Sequence, residues 1–435
     1  MTSEQQLTPR NLGGIKINLG RLLLFFLYCC TFVAFLSKSI WTLTGPIMAA
    51  LCAFLYFTGY AEAVTALIIV ANDAMGTIIG GSVSFPYLLL ILAVARLVLY
   101  KRSMTRGEAF LLVASLVLQI ELAAVGWIAA RSVIYTISFV LAFLVLSRSS
   151  QTLTRFFRGA LMAILLIALH VLLTGGVEFV EFEMTNSFES VTVIRYGVLG
   201  VGTGDPNLSC FLLNIGLLCA WCDRSIGWVL KVALSAVFLA AMLVTVSLSG
   251  LLFMLLTLFL AILIDTRAKK SVVILLVVVA AGLGVVWIYL NTPAMHHPAV
   301  DMYVARIESA LTSLGRGDIS EATSNRTSLF SYFLSYIFSQ PAGGLLFGGN
   351  SLVIGRNAVP HNTYVGYLLQ VGVVGTLILV IRLIVQFIRA FRVPFGSENR
   401  KLVILLKILC LSIGMTISFY EGSLNALWMC FVFLL

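Results

Sequence analysis

Pro360-His361-Asn362-Thr363-Tyr364-Val365-Gly366-Tyr367-Leu368-Leu369 marks the point where a long polar stretch gives way to hydrocarbon-compatible sequence. The stretch behind it, residues 291–360, carries Arg306, Arg316, Arg326 and Arg356 and no lysine. It divides two sets of apolar runs, each of a length that suits a membrane-crossing helix, about 17–25 residues. A chain that leaves lipid for so long and re-enters on a histidine reads as doing chemistry at a membrane surface, in preference to carrying a solute through the bilayer centre.

The composition agrees with that division. Of 435 residues, 60% are hydrophobic and 11% charged, with a mean hydropathy of +1.05, a balance that no water-soluble fold tolerates. The expected class is all-α: a polytopic helical bundle, residues 1–435 forming one membrane domain. The net charge of +10 does not point to nucleic acid, because most Lys and Arg sit in short loops between spans, where they set orientation. Cys219-Ala-Trp-Cys222 has the CxxC spacing but lies in an apolar run with no second pair, so packing is the expected role. The first apolar run is expected to be a span and not a removed signal.

Fourteen apolar spans are expected: 20–37, 41–58, 62–80, 84–100, 107–125, 129–147, 157–175, 206–222, 226–246, 250–264, 271–290, 361–387, 401–418 and 423–435. The basic loops around Arg102, Arg155, Lys269 and Arg392 then share one side, the cytoplasm, with both termini. Two longer segments fall outside. Residues 176–206 form a first extracytoplasmic loop and residues 291–360 a large one, expected to be catalytic. Basic residues outside run against the orientation rule and need a reason. All of them are arginine, the planar and permanently charged fork that suits phosphate oxygens.

Within the large loop, Asp301 is expected to cap a helix with the stripe Tyr303, Ile307, Leu311 and Leu314, closed by Gly315. A second helix from about Ser324 carries Leu329, Phe330, Phe333, Tyr336 and Ile337 and ends before Pro341. Both are expected on the membrane face or over a cavity in the bundle. Gly343, Gly344, Gly348 and Gly349 read as a flexible stretch.

Each candidate site residue has a bland reading beside the functional one. His361, at the start of a span, is either a proton acceptor kept neutral by the helix dipole or one half of an interfacial cap with Asn362. Arg306 and Arg326 either hold an anion or meet lipid headgroups. Arg195 precedes Asp205-Pro206-Asn207 across a glycine-rich run. That run either lets backbone approach a ligand or makes a turn, with Asp205 or Asn207 capping the next span. Ser247-Leu248-Ser249-Gly250 reads as a hairpin turn. Asp73, Arg96, Glu121 and His170 are the ionisable candidates within spans. Phosphate-binding loops with lysine, zinc motifs and nucleophile elbows are absent from the sequence, so the expected chemistry uses neither metal nor cofactor.

Taken in order, these pieces resemble the bacterial O-antigen polymerase and ligase superfamily (Wzy-type polymerases and WaaL-type ligases), from about Arg195 to the end of the chain. The resemblance is carried by Arg195, Gly197 and Gly200 ahead of Asp205-Pro206-Asn207, and by the turn Ser247–Gly250. It continues through Arg326 opening an outer helix that runs to Pro341, then His361-Asn362-Thr363-Tyr364, and Gln370 with Gly372 and Gly375. Two positions depart from the pattern: the turn arginine is Leu248, and the acidic residue before Gly372 is Gln370. The resemblance implies a GT-C-like bundle in a bacterial cytoplasmic membrane, with its active site facing outward. It implies a metal-independent glycosyltransferase that joins polyprenyl-diphosphate-linked oligosaccharides, donor and acceptor alike, into O-antigen, capsular polysaccharide or exopolysaccharide. It also implies catalytic roles for His361, Arg326 and Arg195, and substrate contacts from Arg306, Asp205, Asn207, Asn362 and Tyr364. A flippase and a chain-length regulator are the implied partners, with membrane lipids around the bundle. A ligase passing finished glycan to a lipid or protein, and a transporter or flippase, are the alternatives.

Overall fold

The computed structural model describes residues 10–12, 15–36, 40–79, 83–100, 106–124, 130–146, 150–174, 178–186, 189–197, 206–245, 247–264, 291–292, 298–318, 326–348, 362–392 and 397–415. The expected spans 271–290 and 423–435 lie outside these residues.

Helices fall on the first ten expected spans: α1 (Leu19–Leu36), α2 (Trp41–Leu55), α3 (Ala61–Met75), α4 (Phe85–Leu99), α5 (Arg106–Ala124), α6 (Ala130–Val145), α7 (Ser150–Thr174), α8 (Pro206–Cys222), α9 (Trp228–Val244) and α10 (Leu248–Ile264). Then come α11 (Pro298–Gly315), α12 (Arg326–Ser339), the short α13 (Ala342–Phe347), α14 (Thr363–Arg392) and α15 (Ser397–Gly414). Among the described residues, three helical stretches are long and apolar enough to cross a membrane: Leu19–Leu36, Thr42–Asn72 and Gln151–Leu173. The second is interrupted at Thr58 and Gly59 (φ 96°), where the path passes from α2 to α3.

Large apolar side chains remain uncovered on several helices. Phe25 is 63% exposed, Ile91 65%, Trp228 76% and Ile381 59%. A protein in water rarely leaves so much apolar surface bare, whereas lipid favours it. Polar groups inside the helices turn back on their own backbone: Thr31 donates to the Leu27 carbonyl (2.9 Å), Ser138 to Ile134 (2.6 Å) and Ser412 to Ile408 (2.9 Å). Small residues set the closest approach. A Cβ on Gly159 of α7 would sit 2.8 Å from the Ala63 Cα of α3, so α3 and α7 meet backbone to backbone.

The main core joins α1–α4 and α6–α10 with α15, and a smaller one packs Phe333 and Ile337 of α12 on Val365 and Leu369 of α14. Of the stripe expected on this helix, Phe333 and Ile337 are buried against α14, Leu329 and Tyr336 are partly buried, and Phe330 stays exposed. Ile307, Leu311 and Leu314 of α11 stay exposed.

Several boundaries differ from expectation. α7 starts at Ser150, because its first two turns are polar and a hydropathy window passes over them. α3 stops at Met75, where Gly76 (φ 74°) leads into the antiparallel pair β1 (Thr77–Ile79) and β2 (Val83–Ser84). The glycines expected to be flexible include Gly343 and Gly344, which lie inside α13; Pro341 launches that helix and Gly348 closes it. Residues 176–206 contain an antiparallel hairpin of β3 (Glu178–Asn186) and β4 (Glu189–Gly197). Its basis is a period-two pattern in which Val180, Phe182 and Met184 alternate with Glu181 and Glu183, facing a β-branched partner strand. A small hairpin of residues 10–17 precedes α1.

α8 defines two ends, roughly 24 Å apart by helix rise. At its finish, Asp223 pairs with Arg158 of α7 (Nε to Oδ2 2.6 Å; Nη2 to Oδ1 3.1 Å). Burial alone would raise the Asp223 carboxyl. Hydrogen bonds from Arg158 and Ser225, with the Arg158 charge, outweigh it and hold the group down at about 2. Leu402, early in α15, lines a small cavity with Cys222 and Asp223, so the far end of α15 lies toward the first turn of α8.

Candidate functional site

That first turn is a polar joint. Pro206 opens α8, where a missing N–H costs nothing. Asn207 Oδ1 accepts from Ser247 Oγ at 2.7 Å and Ser249 Oγ at 2.9 Å. Ser247 Oγ accepts the Gly250 N–H at 3.1 Å and so caps α10, whose first turn already includes Ser249 and Gly250. The expected hairpin turn is thus a helix cap, and Asn207, buried, is the acceptor that binds α8 to α10. Asn214 strengthens the same contact, donating to the Cys210 carbonyl (2.9 Å) and the Gly250 carbonyl (3.3 Å).

A second joint lies at the same end. Asn362 Oδ1 accepts the N–H groups of Tyr364 (3.0 Å) and Val365 (3.1 Å), capping α14. Its Nδ2 donates to the Met415 carbonyl (3.1 Å), and Tyr364 Oη donates to the Leu411 carbonyl (2.7 Å). Both residues fasten the start of α14 to the finish of α15, whose last carbonyls would otherwise lack donors. Residue 361 therefore immediately precedes a capped and doubly anchored helix start.

α14 is broken at Gly372 (φ 64°, ψ −171°). Gly348 (φ 77°) closes α13 against this break, and a Cβ on either glycine would collide with backbone of the other segment: Gln370 and Gly372 on one side, Leu346 and Gly348 on the other. Beside the break sits Gln370, 1% exposed, with neither side-chain amide atom hydrogen-bonded among the described residues. An unsatisfied buried amide costs about 1–3 kcal/mol, so a ligand or water there would be stabilising.

Of the arginines expected to act, Arg195 lies on β4, opposite Val180 in register. Arg306 lies within α11, and Arg326 is the first residue of α12. Their side chains, and all of Asp205 and His361, lie outside the described residues. The elements that carry the arginines do touch one connected group: β4 packs on α8, α11 on α9 and α10, and α12 on α14, while α15 joins α14 to α8 and α10.

Among the described residues, two buried charges escaped the sequence reading. Lys407, 0% exposed, lies midway along α15 with Nζ 5.9 Å from the centre of the Phe387 ring. Glu62 is buried in the first turn of α3. The available signal was a single charge inside an apolar run, as in Leu405-Leu406-Lys407-Ile408-Leu409.

Comparison of the chain with protein families, with curated proteins and with solved structures finds no match in any of the three.

Proposed function

We propose that this chain is a polytopic enzyme of a bacterial cytoplasmic membrane, a metal-independent glycosyltransferase that polymerises polyprenyl-diphosphate-linked oligosaccharides at the outer face. One observation carries the reading: β4, α11 and the start of α14, far apart in sequence and each bearing a candidate residue, pack on members of one group of helices, α8–α10 and α15, and α12 joins that group through α14. The acceptor hydroxyl oxygen forms a bond to the anomeric carbon of the donor as that carbon's bond to the diphosphate breaks. The hydroxyl proton passes to His361, and the bonding pair leaves with the diphosphate. Charge grows on that leaving group, and Arg195, Arg306 and Arg326 stabilise it where water is scarce. Asn207, Asn362 and Tyr364 hold the frame, and Asp205 meets the sugar. The end carrying Asn207 and Asn362 faces outward in this reading, and the end carrying Arg158 and Asp223 faces the cytoplasm.

Arg195→Ala, Arg326→Ala and His361→Ala should each stop chain growth while membrane insertion is kept, read as loss of the polymer ladder on gels. Full-length polymer in all three variants would sink the site. Deleting the gene should leave single repeat units; long polymer stranded on the polyprenyl carrier would mean a ligase. One observation favours transport as a second reading: α14 is interrupted at Gly372 beside the buried Gln370, and broken helices line transport sites. Substrate movement across vesicles without new glycosidic bonds would decide for it.

A further inference from the structure

The end of the bundle with Arg158 and Asp223 holds an open cleft of 1130 Å³, lined by Arg21, Arg96, Arg155 and Arg158 from the starts of α1 and α7 and the finish of α4. The lining carboxylate is Glu62. Arg158 is already matched by Asp223 at 2.6 Å, so Arg21, Arg96 and Arg155 stand against Glu62 with an excess of positive charge.

The walls are built, not merely solvated. The Arg96 guanidinium carbon lies 5.6 Å from the centre of the Tyr56 ring and 5.2 Å from that of Tyr100, and its Nη1 donates to the Tyr56 carbonyl at 3.4 Å. That holds one guanidinium in place before any ligand arrives. Asn18 Oδ1 accepts from Tyr60 Oη (3.1 Å) and from the Arg21 N–H (3.2 Å), tying the start of α1 to the α2–α3 junction. A Cβ on Gly20 would collide with the Tyr60 ring, so the two segments touch directly. Basic residues near a cytoplasmic surface are ordinary, but those commonly spread into solvent. Here guanidinium groups from three helices converge on one cavity, larger than the roughly 300–1,000 Å³ typical of small-molecule sites.

We propose that this cleft binds a phosphate-bearing anion through Arg21, Arg96 and Arg155, at the opposite end of α8 from the transferase site. Guanidinium forks match phosphate oxygens in pairs, and a site closed on one side by the bundle strengthens that attraction over open water. Glu62 opposes the bound charge and limits its affinity. The inference does not depend on glycan transfer.

The test uses the full-length protein in phosphatidylcholine nanodiscs. Sodium diphosphate is titrated by calorimetry, and phosphatidylglycerol carried through purification is counted by native mass spectrometry. Arg21→Gln with Arg155→Gln should weaken whichever probe binds by about tenfold or more. Arg131→Gln, an exposed arginine of α6 away from the cleft, should leave binding unchanged. Glu62→Gln should strengthen it, a sign that a misfolded variant would not give. Binding of diphosphate identifies a soluble phosphate compound, and retention of phosphatidylglycerol identifies a lipid headgroup. The proposal fails if neither probe binds, if Arg131→Gln weakens binding as much as the double variant, or if Glu62→Gln weakens it.

Discussion

At the end of the bundle carrying Asn207 and Asn362, those two side chains bond to serines and to helix ends. At the end carrying Arg21 and Arg96, charged side chains face an open cleft. Asn207 holds Ser249 of α10 and its cap Ser247, and Asn362 both caps α14 and grips α15. Arg96 is also held, by the Tyr56 carbonyl and the Tyr56 and Tyr100 rings, yet its charge lines open space. The contrast separates two uses of polarity in a largely apolar protein. One set of groups fixes helix ends where an unsatisfied donor or acceptor would be expensive, and the other is held ready for something the chain does not itself supply.

The sharpest way to break the comparison is at the rigid end. Gly348→Val puts a branched side chain at φ 77° into the backbone of the α14 break. The conformation alone costs about 1–2 kcal/mol and the collision adds more, so well-folded protein should largely disappear from size-exclusion profiles in detergent. A normal yield would mean that α13 is not seated on the break.

Next in size is Asn207→Ala. It removes the acceptor for two hydroxyls in a buried joint, and a loss of about 1–3 kcal/mol is expected as a lower unfolding midpoint in detergent. Asn207→Asp keeps an acceptor and should recover part of the loss. If Asn207→Ala unfolds like the parent protein but loses activity, Asn207 meets substrate instead of holding the frame.

The smallest effect belongs to the ion pair at the basic end. The Asp223 carboxyl is held at about 2 against an ordinary 3.8, so the fold favours its ionised form. Its contribution to stability is complete above pH 3.8, declines as pH falls toward 2, and is gone below that. Unfolding midpoints measured across that window should fall more in the parent than in Asp223→Asn. Parallel curves would remove the pair from the stability of that end. Arg158 is half exposed, so the difference should be modest.

Much of this arrangement was legible in the chain. Runs such as Leu22-Leu23-Leu24-Phe25-Phe26 suit a helix in lipid, and α1, α2, α4 and α8 start and stop within a few residues of where hydropathy puts them. α12 was equally legible, because it ends just before Pro341 and Phe333 and Ile337 mark its buried face. The polar opening of α7 was not, since hydropathy sees what lipid accepts and passes over helix that continues into water. Nor was the role of Asn207: a lone asparagine behind a proline reads as a cap until its partners are known.

Whether a segment suits lipid depends on its own side chains, so the helical class of the chain and its apolar helices needed nothing beyond the order of residues. Pairings between distant positions needed the folded molecule. Arg158 and Asp223 are 65 positions apart, Asn207 and Ser247 are 40, and Asn362 and Met415 are 53. Such partners are selected by how apolar faces pack, a property of many helices together, and no local pattern in the chain records which polar groups that packing brings within reach.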